Sequence, residues 1–252
     1  MLGTTLDLPT LTIIVVGAIV GGFVTGLAGF GTALVASGLW FHALPATMVP
    51  PLVALSSVAA QIMGLITVRK AFEWSRASPY LVGGAIGVPL GIAALASASP
   101  LVLRTSVGAF LIVYAAYQLF GRRNCEIASW GGKCADSLIG VAGGFLGGFA
   151  GLSGPLPLIW LQLRGGKPDS QRAIYQPFNL IVLTLAGFGM AVSGQITMPT
   201  LWISFLCLPA TLAGAWIGAR LYVGVSARTF QRVVLCLLLT SGAILLGQAL
   251  PH

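Results

Sequence analysis

Long apolar segments follow one another along almost the whole chain, each at least as long as a bilayer crossing requires. Of the 252 residues, 57% are hydrophobic and only 7% are charged, a composition outside the range of soluble globular domains. The sequence therefore predicts an all-α integral membrane protein in which little is left over for a soluble domain. The predicted segments are 11–41, 46–68, 78–98, 101–120, 137–163, 174–193, 199–223 and 228–249.

A glycine-rich stretch occurs twice. GGFVTGLAGFG begins at Gly21, and GGFLGGFAGLSG begins at Gly143 in the second half of the chain. The segments that follow each copy are alike in order and character, which indicates an internal duplication. The predicted units are a first repeat over 1–121, a cytoplasmic linker over 122–136 and a second repeat over 137–252.

The two segments that carry these glycines are too long for a single straight crossing. As continuous helices, 11–41 and 137–163 would extend roughly 40–46 Å at about 1.5 Å per residue, whereas the hydrocarbon core is about 30 Å thick. We therefore expect each to be a helical hairpin, broken at its glycines, that enters and leaves the membrane on the same side. The remaining three segments of each half then cross once.

The basic residues support the hairpin arrangement. With hairpins, twelve of the thirteen Lys and Arg residues fall on one side of the membrane and only Arg104 falls on the other. Single crossings throughout would divide them almost evenly, so the positive-inside rule favours hairpins. The twelve are Arg69, Lys70, Arg76, Arg122, Arg123, Lys133, Arg164, Lys167, Arg172, Arg220, Arg228 and Arg232.

Three crossings per half place the starts of the two halves on opposite sides of the membrane. The sequence thus predicts two inverted repeats, an organisation typical of secondary transporters, with both termini on the non-cytoplasmic side of the plasma membrane. The net charge of +8 comes from residues between spans, so it is expected to set topology and not to bind nucleic acid.

The matched breaks predict a binding site for a small anion. A helix that begins inside the membrane presents free N–H groups and the positive end of its dipole, and irregular backbone there must be packed in protein or line a cavity. Polar residues in the following spans, among them Ser57, Gln61, Tyr175 and Thr184, could complete such a cavity. The candidate substrate-binding residues are Thr25, Gly29, Phe30, Gly31, Thr32, Ser56, Gly151, Ser153, Gly154, Gln176 and Asn179.

Within this group, Gln176 and Asn179 are the strongest candidates, because a Ser or Thr in a membrane helix often bonds its own backbone instead. No Lys, Arg or His is expected within a span, so a proton relay has no obvious carrier. A packing interpretation competes with the site: Gly26, Gly29, Gly148 and Gly151 could form small-residue seams between helices.

Other classes of protein were weighed on the same residues. Gly151-Leu152-Ser153-Gly154 resembles the surroundings of a rhomboid-protease serine, but such chemistry needs a base within reach, and neither His42 nor His252 lies within a predicted span. Gly26 to Gly31 is a weak match to a dinucleotide fingerprint. A passive anion channel uses the same half-helix dipoles and stays open as an alternative, as does uptake of thiosulfate or a carboxylate. We expect no enzyme activity, cofactor or metal.

The duplicated Gly-Gly-Phe-x-x-Gly-x-x-Gly segments, 21–29 and 143–151, resemble those of the TauE/SafE family of sulfite and organosulfonate exporters, and the resemblance spans essentially the whole chain. It implies a multi-pass transporter of the bacterial inner membrane for small sulfur-containing anions such as sulfite or sulfoacetate. The expected partners are this anion, the lipid bilayer and, in a homo-oligomer, further copies of the chain.

Overall fold

A computed structural model describes residues 7–68, 74–120, 131–165, 168–221 and 227–248. Within these ranges the chain forms ten α-helices and no β-strand. A short 3₁₀ turn, Ala46–Met48, lies between the second and third helices. The helices are α1 (Leu8–Ala28), α2 (Thr32–Ala43), α3 (Val49–Val68), α4 (Trp74–Ser97), α5 (Pro100–Phe120), α6 (Gly132–Ala150), α7 (Pro155–Leu163), α8 (Pro168–Val192), α9 (Met198–Leu221) and α10 (Ala227–Gly247).

The helices confirm an all-α integral membrane protein. Six stretches in the described part of the chain are long and apolar enough to cross a bilayer, and Val234–Gly247 is a shorter apolar helix. Large apolar side chains such as Phe188 and Trp202 are about 70% exposed (69% and 71%), as expected for a surface that faces lipid. The six are Leu8–Ala28, Ala46–Met63, Trp74–Ser97, Pro100–Phe120, Asp169–Val192 and Met198–Leu221.

The first glycine-rich segment is broken and folds back on itself. Near its start α2 contacts the late part of α1, where Thr32 Oγ1 donates to the Gly21 carbonyl at 3.0 Å. Near its end α2 contacts the early part of α1, where Trp40 Nε1 donates to the Ile14 carbonyl at 3.0 Å. The two helices are therefore antiparallel. With 12 residues, α2 extends only about 18 Å and cannot cross the membrane.

The second glycine-rich segment forms a hairpin of the same kind. Trp160 Nε1, late in α7, donates to Asp136 Oδ1, early in α6, at 2.8 Å. At the other end, Gly143 lies against Ser153 and Pro157. With 9 residues, α7 extends about 14 Å. Each half of the chain thus consists of one broken hairpin followed by three helices.

Glycine seams join the two halves. A Cβ added at Gly22 or Gly26 of α1 would collide with the backbone of α9 near Thr211 and Ala215. The hairpin helix of the second half packs in the same way, since Gly148 of α6 lies against Val88 of α4. The packing interpretation therefore holds for Gly26 and Gly148.

In both seams the residue numbers of the partner helices rise together, so α1 is parallel to α9 and α6 is parallel to α4. On α1, Gly22 meets Thr211 and Gly26 meets Ala215; on α6, Gly140 meets Tyr80 and Gly148 meets Val88. The fourth helix of each half thus packs beside the hairpin of the other half. The halves interlock through backbone contacts that a larger side chain would prevent.

The basic residues Arg69, Lys70, Arg122, Arg123 and Lys167, together with the linker residues 122–130, lie outside the described residues. Helix α6 begins at Gly132, so residues 132–136, which the sequence assigns to the linker, belong to the second hairpin. The predicted repeat boundaries otherwise stay a prediction.

Candidate functional site

The first break separates α1 from α2 by three residues, of which two have backbone angles that favour glycine. Gly29 has φ 81° and Gly31 has φ 125°, in a region that side chains with a Cβ rarely adopt. The Gly29 N–H donates to the Thr25 carbonyl at 2.7 Å, which closes the last turn of α1. Gly29 therefore ends a helix and is not part of a packing seam.

The second break has the same kind of turn and a fuller backbone cap. Gly151 has φ 75°, its N–H donates to the Gly147 carbonyl at 2.9 Å, and the Leu152 N–H donates to the Leu146 carbonyl at 3.1 Å. These two nested bonds satisfy the last carbonyls of α6 from the chain's own backbone. Pro155 occupies the first position of α7 and Gly154 the cap position, the arrangement that a proline after a glycine favours.

Both breaks line one cavity in the interior of the bundle. Its volume is about 10 Å³, enough for a single water molecule. Every side chain that lines it is uncharged. The first half contributes Thr25, Phe30, Gly31, Thr32, Ala33, Leu34, Ser57 and Gln61, and the second half contributes Gly151, Ser153, Gly154, Pro155, Asn179 and Leu183.

The N–H groups closest to this cavity differ from those expected. The N–H groups of Gly29 and Gly151 are engaged in the helix caps, and the Thr32 N–H donates to Thr25 Oγ1 at 2.7 Å. Ala33 and Leu34 lie in the first turn of α2, where N–H groups have no helical acceptor. They are the main backbone donors that the first break offers to a ligand.

The second break offers fewer backbone donors. Pro155 and Pro157, both in the first turn of α7, have no N–H, which leaves those of Gly154 and Leu156. The Ser153 hydroxyl donates to Asn179 Oδ1 at 3.0 Å, so these two predicted site residues form one polar group at the cavity wall.

Two buried polar side chains of α3 indicate a position for a ligand or a water molecule. Ser57 and Gln61 are 2% and 3% exposed and line the cavity. In the part of the chain that the structure describes, Ser57 Oγ and Gln61 Oε1 have no hydrogen-bond partner. A buried polar atom without a partner costs free energy, so it needs an explanation such as a bound molecule. Ser56, chosen from the sequence, has an unpartnered hydroxyl as well, but it does not line the cavity.

Gln176 lies outside the cavity, beside the first break. It is fully buried, and neither its amide oxygen nor its amide nitrogen has a partner. Its Nε2 atom is 2.5 Å from the position that a Cβ on Gly29 would occupy. Of the two strongest candidates from the sequence, the structure brings Asn179 to the cavity and Gln176 to the back of the turn at Gly29.

A buried arginine holds the end of α1. Arg172, 4% exposed, donates through NH2 to the carbonyls of Gly26 at 3.5 Å and Leu27 at 3.3 Å. The Tyr175 hydroxyl donates to the next carbonyl, that of Ala28, at 2.6 Å. We call Arg172 and Tyr175 the clamp. A cation and a hydroxyl donor at the carbonyl end of a helix satisfy groups that have no helical partner and complement its dipole.

Arg172 lies inside α8, which begins at Pro168, so the predicted start of this span at residue 174 is wrong. The first turns of α8 therefore carry Arg172 into the protein against α1. A Pro at the start of a helix followed by an acidic residue, here Pro168 and Asp169, is the sequence signal that would have found the earlier start.

The described residues give no support to a serine protease at Ser153. Its hydroxyl bonds Asn179, whereas His42 Nε2 lies 3.2 Å from Ser241 Oγ in another part of the bundle. Thr184 donates to the carbonyl of Leu180, one turn earlier in its own helix, at 2.7 Å. Among the residues described, no group of three or more His, Cys, Asp or Glu side chains comes together in a way that could hold a metal ion.

The comparisons with known proteins identify the family. Neither curated proteins nor solved structures include a match to this chain. The sequence does match the profile described as Sulfite exporter TauE/SafE over residues 13–245. This range takes in both hairpins, both breaks and every residue that lines the cavity between them. The chain belongs to the TauE/SafE sulfite exporter family of membrane transporters.

Proposed function

We propose that this protein is a secondary transporter that exports a small sulfur-containing oxyanion, such as sulfite, sulfoacetate or a related organosulfonate, across the bacterial inner membrane. One observation carries the proposal. The N-terminal ends of α2 and α7, one from each half, line the same cavity as the unpartnered hydroxyl of Ser57, which can donate to an anion.

The chemistry of this cavity suits an anion that must be released again. Two helix N-termini contribute partial positive charge and N–H donors. The Ser57 hydroxyl and the amide NH2 groups of Gln61 and Asn179 can add further donors. Because no full positive charge occurs among the described residues that line the cavity, the anion would be held by hydrogen bonds and helix dipoles, without a counter-charge from a side chain. An oxyanion with several acceptor oxygen atoms matches such a set of converging neutral donors.

The packing of the helices supports an inverted relation between the halves. Since α4 is parallel to α6 and antiparallel to the α3 that precedes it, the second hairpin starts at the end of the bundle opposite to the first. The end of the bundle where the second hairpin begins carries Arg76, Lys133, Arg164 and Arg220. Arg104 lies at the opposite end. By the positive-inside rule the former end is cytoplasmic, and both termini are then non-cytoplasmic.

The size of the cavity supports transport by alternating access. A volume of about 10 Å³ is too small for sulfite, so the anion enters only when the pair of α1 and α9 and the pair of α4 and α6 move apart from each other. The seams of α1 with α9 and of α4 with α6 are continuous backbone contacts, which makes each pair a natural rigid unit. An anion that leaves a cell with a negative interior gains about 2.3 kcal/mol per charge per 100 mV, which favours export.

The proposal is tested by sulfite flux from proteoliposomes with the Gln61→Leu variant. Because Gln61 Oε1 has no partner among the described residues, replacement of Gln61 by an apolar side chain of similar size should leave stability unchanged or raise it. Flux should fall by at least about tenfold, the effect of losing roughly 1.4 kcal/mol of interaction with the anion. Wild-type flux from this variant would contradict the proposed site.

The matched control is Thr184→Val, which removes an exposed hydroxyl that bonds only its own helix. It should transport like the wild type. Gly151→Leu is a less useful test, since Gly151 has a positive φ and its Cβ would lie 2.7 Å from Val53 Cγ1, so loss of flux would reflect a damaged turn. Saturation of the flux with sulfite separates a transporter from a channel, and a panel with thiosulfate and small carboxylates identifies the substrate.

A further inference from the structure

A second cavity lies at the end of the bundle where α4 and α6 begin and α7 ends. Its volume is about 320 Å³, far larger than that of the cavity between the breaks. Residues from the first turns of α4, α6 and α8 and from the last turn of α7 form its walls. We call it the outer cavity, because it lies at the end of the bundle and not between the breaks; in the proposed topology this end is cytoplasmic.

The charged side chains that line the outer cavity are mostly basic. Arg76 from α4, Lys133 from α6 and Arg164 from α7 contribute three positive charges, and Asp136 contributes one negative charge. Arg76 and Lys133 are exposed. The polar side chains of Ser170 and Gln171 complete the wall that α8 provides. The cavity therefore has a net charge of +2 from these four groups.

Asp136 serves as an anchor within this wall. Its Oδ1 atom accepts from the Tyr80 hydroxyl at 2.6 Å and from Trp160 Nε1 at 2.8 Å, and it lies 3.2 Å from Arg164 NH2. Arg164 also donates to the Gly132 carbonyl at 3.0 Å and lies over the Trp160 ring at 5.2 Å. The carboxylate thus holds the guanidinium in a fixed orientation at the cavity wall.

We propose that the outer cavity is a second binding site for a small sulfonate or sulfite anion, which collects the substrate from solution before it reaches the breaks. A concave wall with a net positive charge raises the local concentration of anions, and planar guanidinium groups suit oxyanions. The volume accommodates an organosulfonate with part of its hydration shell.

The second hairpin connects the two cavities. Leu161 and Gly165, at the end of α7, lie at the outer cavity, and Pro155, at its start, lies at the cavity between the breaks. The distance along the helix is about 14 Å. The role of the outer cavity as a first stop on the export path rests on the proposed function, whereas its affinity for sulfonates does not.

The experiment measures the local potential with a thiol probe. In a chain whose four cysteines are replaced, Ser170→Cys places a thiol in the outer cavity of protein reconstituted in phosphatidylcholine. Each rate is divided by the rate of the same reagent with a free thiol in solution. On this relative scale we expect a sulfonate-bearing methanethiosulfonate reagent to react faster than its trimethylammonium counterpart at low salt. Methanesulfonate should slow the reaction, since it competes for the same site.

Neutralising two of the cations should remove most of this preference. Arg76→Gln combined with Lys133→Gln should slow the sulfonate reagent about fivefold, as Coulomb's law gives for two unit charges about 8 Å away in water. The difference should vanish at 1 M salt, where the screening length is about 3 Å. Arg220→Gln, an exposed cation at the same end that does not line the cavity, should have no effect.

Equal rates for the two reagents, or an equal effect of Arg220→Gln, would overturn the proposal. So would protection by phosphatidylglycerol but not by methanesulfonate, because the cavity would then hold a lipid headgroup. A protein that shows the charge preference and protection yet moves no sulfite would retain the outer site while the proposed function falls. Sulfite flux without any charge preference at the introduced thiol would retain the proposed function and overturn the outer site.

Discussion

The two helix breaks share their backbone turn but differ in what holds it. At Gly151 the chain caps itself, through two backbone bonds to the end of α6, and the side chain against it is Val53. At Gly29 the backbone makes a single cap bond, and Arg172 and Tyr175 of the other half hold the last carbonyls of α1. The second break is thus closed by its own backbone, and the first depends on contact between the halves.

The corresponding positions of the repeat show how this difference arose. Val53 and Ala54 face Gly151, and Tyr175 and Gln176 face Gly29. Tyr175 follows Val53, and Gln176 follows Ala54, by the same number of residues by which Gly151 follows Gly29, so these are equivalent positions of the repeat. The equivalent positions are therefore apolar in α3 of the first half and polar in α8 of the second half. We expect a movement of α8 relative to α1 to loosen the first break, while the second keeps its shape.

The largest difference between the breaks is expected from adding one methyl group to each. Gly29→Ala should cost about 4 kcal/mol and Gly151→Ala about 2 kcal/mol. Each pays about 1 kcal/mol for its left-handed backbone, and the rest is overpacking. A Cβ at Gly29 would lie 2.8 Å from Arg172 Nε and 2.9 Å from the Tyr175 hydroxyl, whereas at Gly151 it would meet mainly Val53 Cγ1, at 2.7 Å.

The measurement is the midpoint of chemical unfolding of each variant in detergent. Gly247→Ala is the control, because a Cβ there has nothing within 4 Å and its φ is not positive. Equal losses at Gly29 and Gly151 would mean that the turn itself, and not its surroundings, sets the cost.

Arg172→Met should cost about 3 kcal/mol, because the carbonyls of Gly26 and Leu27 lose a charged donor and stay buried. Arg172→Lys should restore part of the loss, since a point charge keeps the dipole interaction but cannot reach both carbonyls with one rigid group. Unfolding midpoints of the three proteins give the order. Arg220→Met removes an exposed arginine stacked on Trp216 and should cost less than about 1 kcal/mol. Unchanged stability of Arg172→Met would show that the clamp does not hold α1.

Much of this comparison was visible in the sequence. The duplicated glycines predict two breaks, the length of their segments predicts hairpins, and Pro155 marks the start of α7. These features are local or repeat along the chain, so periodicity and turn chemistry suffice to find them. The all-α membrane fold and the family follow from the same patterns.

The surroundings of each break could not be predicted in this way, because they depend on which face of a distant helix is turned inward. Arg172 counts in the sequence only as one positive charge among many. Ser57 and Ser56 are neighbours of the same type, yet only Ser57 lines the cavity. The rotation of α3 and α8 about their axes in the packed bundle determines which side chains face inward. This rotation is a tertiary property that cannot be read from one sequence.

A smaller difference is expected between the polar pairs at the two breaks, Thr25 with Thr32 at the first and Ser153 with Asn179 at the second. Thr25→Val should cost about 2 kcal/mol, because the Thr32 N–H then loses its acceptor in a fully buried position. Ser153→Ala should cost about 1 kcal/mol, since it removes one donor from Asn179 and leaves no N–H unpaired. Unfolding midpoints test the order, with Thr184→Val as the control. A larger loss from Ser153→Ala would mean that the hydroxyl of the second break stabilises more than its single bond indicates.

The smallest effect expected is that of Tyr175→Phe, which keeps the ring and removes only the hydroxyl of the clamp. The ring contact with Phe30, edge-on at a centroid distance of 5.9 Å, should survive, so the cost is the one bond to the Ala28 carbonyl, about 1 kcal/mol. Tyr117→Phe, at a partly exposed position on α5, is the matched control and should be neutral. Combined with Arg172→Met, Tyr175→Phe should cost less than the sum of the two, since both donors hold one helix end and its release is a single event. Strict additivity would show that the two residues hold separate structures, and the first break would then be no more dependent on α8 than the second is on α3.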